Sequence, residues 1–303
     1  MRSRLGRRAF ASGLFSAAAL IATGTCSLAQ NATPAASGGV LRISAIPDQD
    51  VAVLNRQFGA MAEYLAEAAG LEVEYVPMVD YAALVTAFER GDIHLAWFGG
   101  LTGVQAQAVV PGARAVAQRP RDAEFHSRFI VRADLDVENL EDLRGLTFTF
   151  GSESSTSGHL MPRYFLVQAG IDPESDFQGL PSYSGSHDKT IELVEAGAYD
   201  AGALNEAVWE QRLADGEVDT TKVRDFYTTP AYFDYHWGIR PDVDEKFGEG
   251  ATDRIVGAIL ALDAGEPEQK ALLDLFSTDA FIETENANYE TIREVAEELG
   301  ILR

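Results

Sequence analysis

From Val40 onward, short apolar runs alternate with longer stretches in which apolar residues recur every three or four positions. "VLRISAI" (40–46) reads as a strand, and "VAVLNRQFGAMAEYLAEAAG" (51–70) as an amphipathic helix stopped by Gly70. "LEVEYVPM" (71–78) alternates with period two, the signature of a strand. Asp80 stands where an N-cap belongs, ahead of the helix "YAALVTAFER" (81–90) and its Gly91 stop. "DIHLAWF" (92–98) predicts a buried strand, "LTGVQAQAVV" (101–110) a helix, and "ARAVAQ" (113–118) and "FHSRFIVRA" (125–133) two more strands. This order of elements predicts an α/β fold with a largely parallel sheet covered by helices on both faces.

After Asp134 the same grammar restarts. "NLEDLRG" is a short helix, "LTFTF" a strand, "PRYFLVQAG" a helix and "GLPSYS" an extended piece. "HDKTIELVEAG" is a helix capped by Ser186; "DAGAL" and "EAVWEQRLADG" follow as strand and helix, and "VRDFYTT" and "YFDYHWGIR" as strands. From Asp244 on, three helical segments are expected and no strand. The stretches "LVTAFERGDIHLAWFGG" and "IELVEAGAYDAGALNEA" share one plan of helix, glycine, aspartate, small-residue strand and polar exit. The echo predicts two similar lobes, each a mixed sheet flanked by helices. Lobe 1 is expected over residues 40–132 plus 238–303 and lobe 2 over 133–237, joined by two hinge crossings near 129–134 and 236–241. A ligand of such a fold sits beyond the carboxyl ends of the strands.

Residues 1–29 stand outside this pattern. Arg2, Arg4, Arg7 and Arg8 precede an apolar stretch and small residues ending in "SLA", the layout of an export signal. "RRAF" is similar to a twin-arginine signal, and a Sec signal looks much the same. Residues 30–39 read as a low-complexity linker. Cleavage after Ala29 predicts a periplasmic or surface protein without stable membrane insertion. It also removes Cys26, the sole cysteine, and with it disulfides, cysteine metal ligands and cysteine nucleophiles. Of 24 basic residues 20 are left against 47 acidic ones, so the net charge moves from −23 to −27. Nucleic acid is an unsuitable partner for such a surface. An anionic ligand must be held by local dipoles rather than by the field of the whole molecule.

The stretch "FGSESSTSGHLMPRYFL" (150–166) places five Ser, Thr or Gly residues, Ser154 to Gly158, at a strand-to-helix corner. Short hydroxyls and unpaired N–H groups there suit an oxyanion, though an ordinary polar N-cap has the same composition. No lysine and no GxxxxGK[ST] is present, so this is not a nucleotide loop. Pro162 either interrupts a helix begun at Ser157 or sits at the first position of a helix preceded by a separate tight turn. "SGSHDKT" (184–190) is a second such corner, with His187 either a donor to an anion or a surface residue beside a cap. "WFGG" (97–100) either lets a ligand approach its backbone or is a simple turn. Tyr81 either points into a cleft or packs with Leu84, Val85 and Phe88; Asn205 either binds ligand or caps the next helix. Arg119 and Arg128 either add positive charge to the cleft or neutralise acids such as Asp122 and Glu124. No G-x-S-x-G elbow accompanies Ser157, His187 and Asp188, and the five histidines lack metal-ligand spacing, so no catalytic residue, metal or cofactor is expected.

"STSGHLMPRYFL" (155–166), "YSGSHD" (183–188), "DAGALNEAVWE" (200–210), "VDYAALVTAF" (79–88) and "LAWFGG" (95–100) together resemble the phosphate/phosphite/phosphonate-binding proteins of ABC transporters, a family of periplasmic type II solute-binding proteins. The resemblance covers most of the chain after residue 40 and is closest to a branch described as selenate-transporter binding proteins. It implies two α/β lobes that close on a small oxyanion without chemistry and deliver it to an ABC permease in the inner membrane. A periplasmic partner of a membrane histidine kinase is the alternative. On this chain the resemblance implies a ligand site of Ser155, Thr156, Ser157 and His187 from one lobe. Tyr81, Phe98, Gly99 and Gly100, with the turn running to Leu101, would contribute from the other, and Asn205 from the exit of its strand. Phosphonate binders of this family often carry a carboxylate where this chain has Asn205, which points to a small, fully ionised anion such as selenate, a sulfate-like anion or phosphite. Thr156→Ala is expected to weaken anion binding by roughly tenfold, the loss of one buried hydrogen bond to a charged group. Calorimetry on a variant that still melts cooperatively checks this; unchanged affinity would remove the loop from the site.

Overall fold

The computed structural model describes residues 39–302. The expected signal and nearly all of the expected linker lie outside the described residues. The chain runs β1 (Leu41–Ala45), α1 (Val51–Ala69), β2 (Val73–Tyr75), α2 (Tyr81–Arg90), β3 (Leu95–Phe98), α3 (Gly100–Val109) and β4 (Arg114–Gln118). It continues through β5 (Ser127–Arg132), β6 (Phe148–Phe150), α4 (Met161–Gln168), β7 (Ser182–Tyr183), α5 (His187–Glu195), β8 (Ala201–Asn205), α6 (Glu206–Ala214) and β9 (Val223–Thr228). It closes with β10 (His236–Ile239), α7 (Val243–Phe247), α8 (Ala251–Leu260), α9 (Pro267–Leu275), β11 (Ile282–Glu283) and α10 (Glu290–Glu298). The boundaries follow local chemistry. Asp50 and Asp80 cap α1 and α2 through their carboxylates, and Gly70 and Gly91 end them with φ of 64° and 77°.

The strands form two sheets, ordered β11-β4-β10-β3-β1-β2 and β7-β6-β8-β5-β9. Within each, the strands of the βαβ units are parallel: β2, β1 and β3 in the first, β7, β6 and β8 in the second. Each sheet also admits one strand carried in from the other. β10 lies antiparallel between β3 and β4, and β5 lies antiparallel between β8 and β9. The sheets are therefore mixed rather than largely parallel, because a strand that arrives from the opposite lobe enters head to tail.

Those two strands also move the lobe boundaries. β5 belongs to the second sheet, so the first crossing lies between Gln118 and Ser127, not at 129–134. β10 belongs wholly to the first sheet, so the return lies between Thr228 and His236, ahead of the expected 238. Both strands are apolar runs that fit either sheet, and their partners decide which. The crossings pair as a two-stranded hinge: Phe125 and Tyr232 exchange backbone hydrogen bonds, and Asp234 N–H donates to the Asp122 carbonyl. The C-terminal stretch contains a strand after all, β11, whose two residues are too short to leave a pattern.

One continuous apolar core underlies the first sheet, and two smaller ones flank the second. In the first, the His236 ring occupies the space a Cβ on Gly103 would need, 2.3 Å from its Cε1, so α3 can lie against β10 only with glycine there. Gly59, within α1, has nothing within 4 Å of its missing Cβ. Gly103→Ala is expected to cost about 1–3 kcal/mol through overpacking. Gly59→Ala should stabilise by about 0.5–1 kcal/mol by restricting the unfolded chain. Urea denaturation of the two variants beside the parent checks both signs.

Candidate functional site

The site is built where both sheets present strand ends to the hinge. From the second sheet, β6 ends at Phe150 and the chain makes one π-helical turn, Thr156–Leu160, before α4. Leu160 N–H reaches the Ser155 carbonyl and Met161 N–H the Thr156 carbonyl, each five residues back. Pro162 interrupts the helical run that opens at the Ser155 cap and continues through Gln168, the first of its two expected placements. It has no N–H for the Gly158 carbonyl, which accepts from Gly151 N–H instead, at 2.8 Å. Gly158 has no room for a side chain, because a Cβ there would stand 3.0 Å from both Ser155 Oγ and His187 Cε1.

From the first sheet, β3 ends at Phe98, and α3 begins beyond Gly99. Leu101 N–H donates to Thr156 Oγ1 at 2.9 Å, joining the two corners directly. Gly100 N–H donates to Asp234 Oδ1 at 2.9 Å, and a Cβ on Gly99 would crowd both Thr156 Oγ1 and Asp234 Oδ1. These contacts set the direction of the hydroxyls. Ser155 Oγ accepts from Gly158 N–H and Thr156 Oγ1 from Leu101 N–H, so each keeps its own hydrogen to donate. Ser155, Thr156 and Ser157 are all buried. The Tyr81 hydroxyl is buried beside Ser155 and has no hydrogen-bond partner. Burial first, then the carboxylates of Asp48 and Asp234, hold its pKa well above the ordinary value.

His187 opens α5, and its backbone N–H donates to the Asp48 carbonyl across the cleft at 2.9 Å. Its Nδ1 accepts from Asn205 N–H at 3.3 Å, so the neutral ring carries its proton on Nε2. Complete burial drives its pKa down to about 3, which makes it a neutral donor.

Two of the expected residues are also engaged within the protein itself. Phe98 packs its ring edge-on against Phe88 in the core and lends only its backbone to the turn. Asn205 caps α6 by accepting from Val208 N–H at 2.6 Å, and its Nδ2 donates to the Tyr235 hydroxyl at 2.8 Å. Both ends of that amide are thus engaged. Arg119 pairs through two nitrogens with Asp122, and Arg128 pairs with Glu210 and Asp225, so neither offers free charge to the cleft.

Asp234 is the residue that the sequence reading missed. It lies in the returning hinge segment, 1% exposed, with Oδ2 bonded to nothing. Desolvation lifts its pKa to about 7 against the stabilising Gly100 N–H; the Thr156 and Ser157 hydroxyls lie close enough to temper the rise but make no hydrogen bond to Oδ2. Its one sequence signal is an acid set inside the aromatic run "YFDYHWG". The corner therefore assembles neutral donors from both sheets around one bare carboxyl oxygen.

Residues 43–289 match the family described as the periplasmic substrate-binding protein of the phosphonate ABC transporter. The chain belongs to this family. It is accordingly a substrate-binding component of a transporter and not an enzyme. It is 43% identical over 271 residues to the probable ABC transporter phosphite binding protein PhnD1 of Prochlorococcus marinus, covering 87% of this chain and 91% of that one. The structure of that PhnD1 in complex with methylphosphonate superimposes with a TM-score of 0.84, covering 87% of this chain and 99% of the other. A binding protein component of an ABC phosphonate transporter from Pseudomonas aeruginosa, 20% identical, shares the fold at a TM-score of 0.74 over 85% of each chain. These relatives lend no support to the expected selenate branch or to a histidine-kinase partner. No helix among the described residues is long and apolar enough to cross a membrane.

Asp234 has a measurable signature in the ligand-free protein. Its folded pKa of about 7 exceeds the ordinary 3.8, so its contribution to stability is full below pH 3.8 and is lost as pH rises through 7. Asp234→Asn keeps an oxygen for Gly100 N–H and never ionises. Its melting temperature should therefore exceed that of the parent at pH 8, and the gap should close near pH 4. Calorimetric scans at the two pH values read this directly.

Proposed function

We propose that this protein captures a small phosphorus oxyanion that carries an ionisable hydrogen, of the phosphite or methylphosphonate class, and hands it to an ABC permease in the inner membrane. Ser155, Thr156, Ser157, Tyr81 and the His187 Nε2–H donate to the anion, with the Gly99–Leu101 turn closing the site from the first sheet. The observation that carries the choice of ligand is the bare Oδ2 of Asp234. A buried acceptor needs a hydrogen from the ligand, and leaving it unpaired against a second anion is strongly unfavourable. Phosphite and alkylphosphonates exchange a proton with Asp234 across one short bond. Selenate and sulfate, fully ionised, bring no hydrogen to that oxygen and depend on the proton that Asp234 itself keeps below its pKa of about 7. Asn205 pointed toward a fully ionised anion; Asp234 supplies a carboxylate from the returning hinge segment and reverses that preference. The likeness to a phosphite-binding relative solved with methylphosphonate supports the same class.

Binding rests on neutral donors, the α3 and α5 N-termini and closure of the two sheets about the paired hinge. Titration of the mature protein with phosphite, methylphosphonate, phosphate, sulfate and selenate tests the reading. Phosphite or methylphosphonate should bind tighter than selenate, and the gap should widen as pH rises through 7, where Asp234 loses the proton that selenate cannot replace. Tightest binding by selenate or sulfate would overturn it. The complex retains one proton between ligand and Asp234, whichever of the two brings it. Affinity should consequently fall by up to about tenfold per unit once pH exceeds the pKa values of both partners.

A further inference from the structure

Beside the oxyanion corner, also between the two sheets, lies a cleft of about 420 Å³. Its walls include Trp97, Arg119, Asp188, Arg212 and Phe276, but neither the Ser155–Ser157 loop nor Tyr81, His187 or Asp234. Three residues connect the cleft to the corner. Asp48, Asn205 and Tyr235 line the cleft, and each also meets His187: Asp48 through its carbonyl, Asn205 through its N–H, and Tyr235 through its hydroxyl, 3.4 Å from Nε2.

Tyr235 fills the gap between the other two, and little freedom is left to it. Its hydroxyl donates to Asp48 Oδ2 at 2.8 Å and accepts from Asn205 Nδ2 at 2.8 Å, so one hydrogen-bond chain runs from the first-sheet lobe to the second. Its ring is stacked on Trp97 at 5.8 Å, meets Phe125 edge-on at 5.5 Å and lies under the Arg119 guanidinium at 5.3 Å. Arg119 is itself anchored by Asp122 and by the Phe276 carbonyl. A side chain fixed from every side does not swing aside for a ligand at the cost of one rotamer; it acts as a wall.

We propose that Tyr235, locked by Asp48 and Asn205, is the partition that sets ligand size. It limits the substituent on phosphorus to about a hydrogen, hydroxyl or methyl group, and its removal would join the corner to the cleft and admit longer alkylphosphonates. This inference rests on the oxyanion reading above and adds the residue that restricts it. The cleft has the room for such a chain, and Trp97, Leu54 and Phe276 give it apolar surface. Tyr235 thereby acts on specificity by exclusion rather than by a contact with the anion itself.

The test is calorimetric titration of the parent, Tyr235→Ala, Tyr235→Leu and Tyr235→Phe with methylphosphonate and n-propylphosphonate, with a thermal melt of each variant. The parent should prefer methylphosphonate by at least about 100-fold. In Tyr235→Ala that preference should fall below about tenfold, because the propyl chain enters the opened cleft. Tyr235→Phe, which keeps the ring and loses the hydroxyl chain, should bind both ligands more weakly and keep the ratio. If Tyr235→Ala does not fold, Tyr235→Leu carries the same comparison, with a smaller gain for propylphosphonate. A parent that binds both ligands alike, or a folded Ala or Leu variant that still rejects propylphosphonate, would overturn the partition. A parent that binds neither methylphosphonate nor phosphite would instead remove the oxyanion reading, and the partition with it.

Discussion

A carboxyl group sealed between two sheets, with one oxygen held by Gly100 N–H and the other bonded to nothing, governs how the rest of the site is arranged. Burying such a group is unfavourable, and its pKa rises to about 7 in response. Around it the chain supplies hydroxyls whose acceptor sides are already filled by backbone N–H groups, so their hydrogens are left over. The outcome is a corner with donors on most sides and one acceptor on the remaining side. That combination is complementary to a protonated oxyanion and mismatched to a fully ionised one. The cost of the bare oxygen is met by a proton on Asp234 itself or by a ligand with a hydrogen to share.

Net charge plays little part in this. The chain carries a formal charge of −23, yet it is read as a binder of an anion. Arg119 is committed to Asp122, Arg121 to Glu210, and Arg128 to Glu210 and Asp225. Attraction must therefore come from short-range dipoles in a site without bulk water, where a neutral hydrogen bond is worth more than it is at the surface. Neutral His187 fits the same scheme, since burial removes its charge and the Asn205 N–H sets which nitrogen keeps the proton.

Closure and selection share the same atoms. Leu101 N–H to Thr156, His187 N–H to the Asp48 carbonyl, and Tyr235 to Asn205 all cross between the two sheet systems. The hinge that permits the movement is a pair of short antiparallel segments, and Asp234 is part of one of them. A ligand that satisfies Asp234 therefore acts on the hinge strand itself, and the contacts that hold the sheets together are the ones that shape the space left for it.

Much of this was legible in the chain. Hydrophobic periodicity located nearly every helix and strand, because burial of one face imposes a local pattern that survives in the sequence. The Ser155–Ser157 loop, His187 and the glycine turn at 98–100 announced themselves through composition at strand-to-helix corners, where backbone N–H groups need partners. Sheet membership was not legible. β5 and β10 are apolar runs that suit either sheet, and only their neighbours make β5 a strand of the second and β10 a strand of the first. Asn205 read as a ligand contact because its type allows one, while its two bonds to Val208 and Tyr235 depend on chain segments up to 30 residues away. Asp234 read as one acid among 47. What sets it apart is the desolvation imposed by two sheets that meet over it, and desolvation belongs to the packed molecule rather than to any stretch of its sequence.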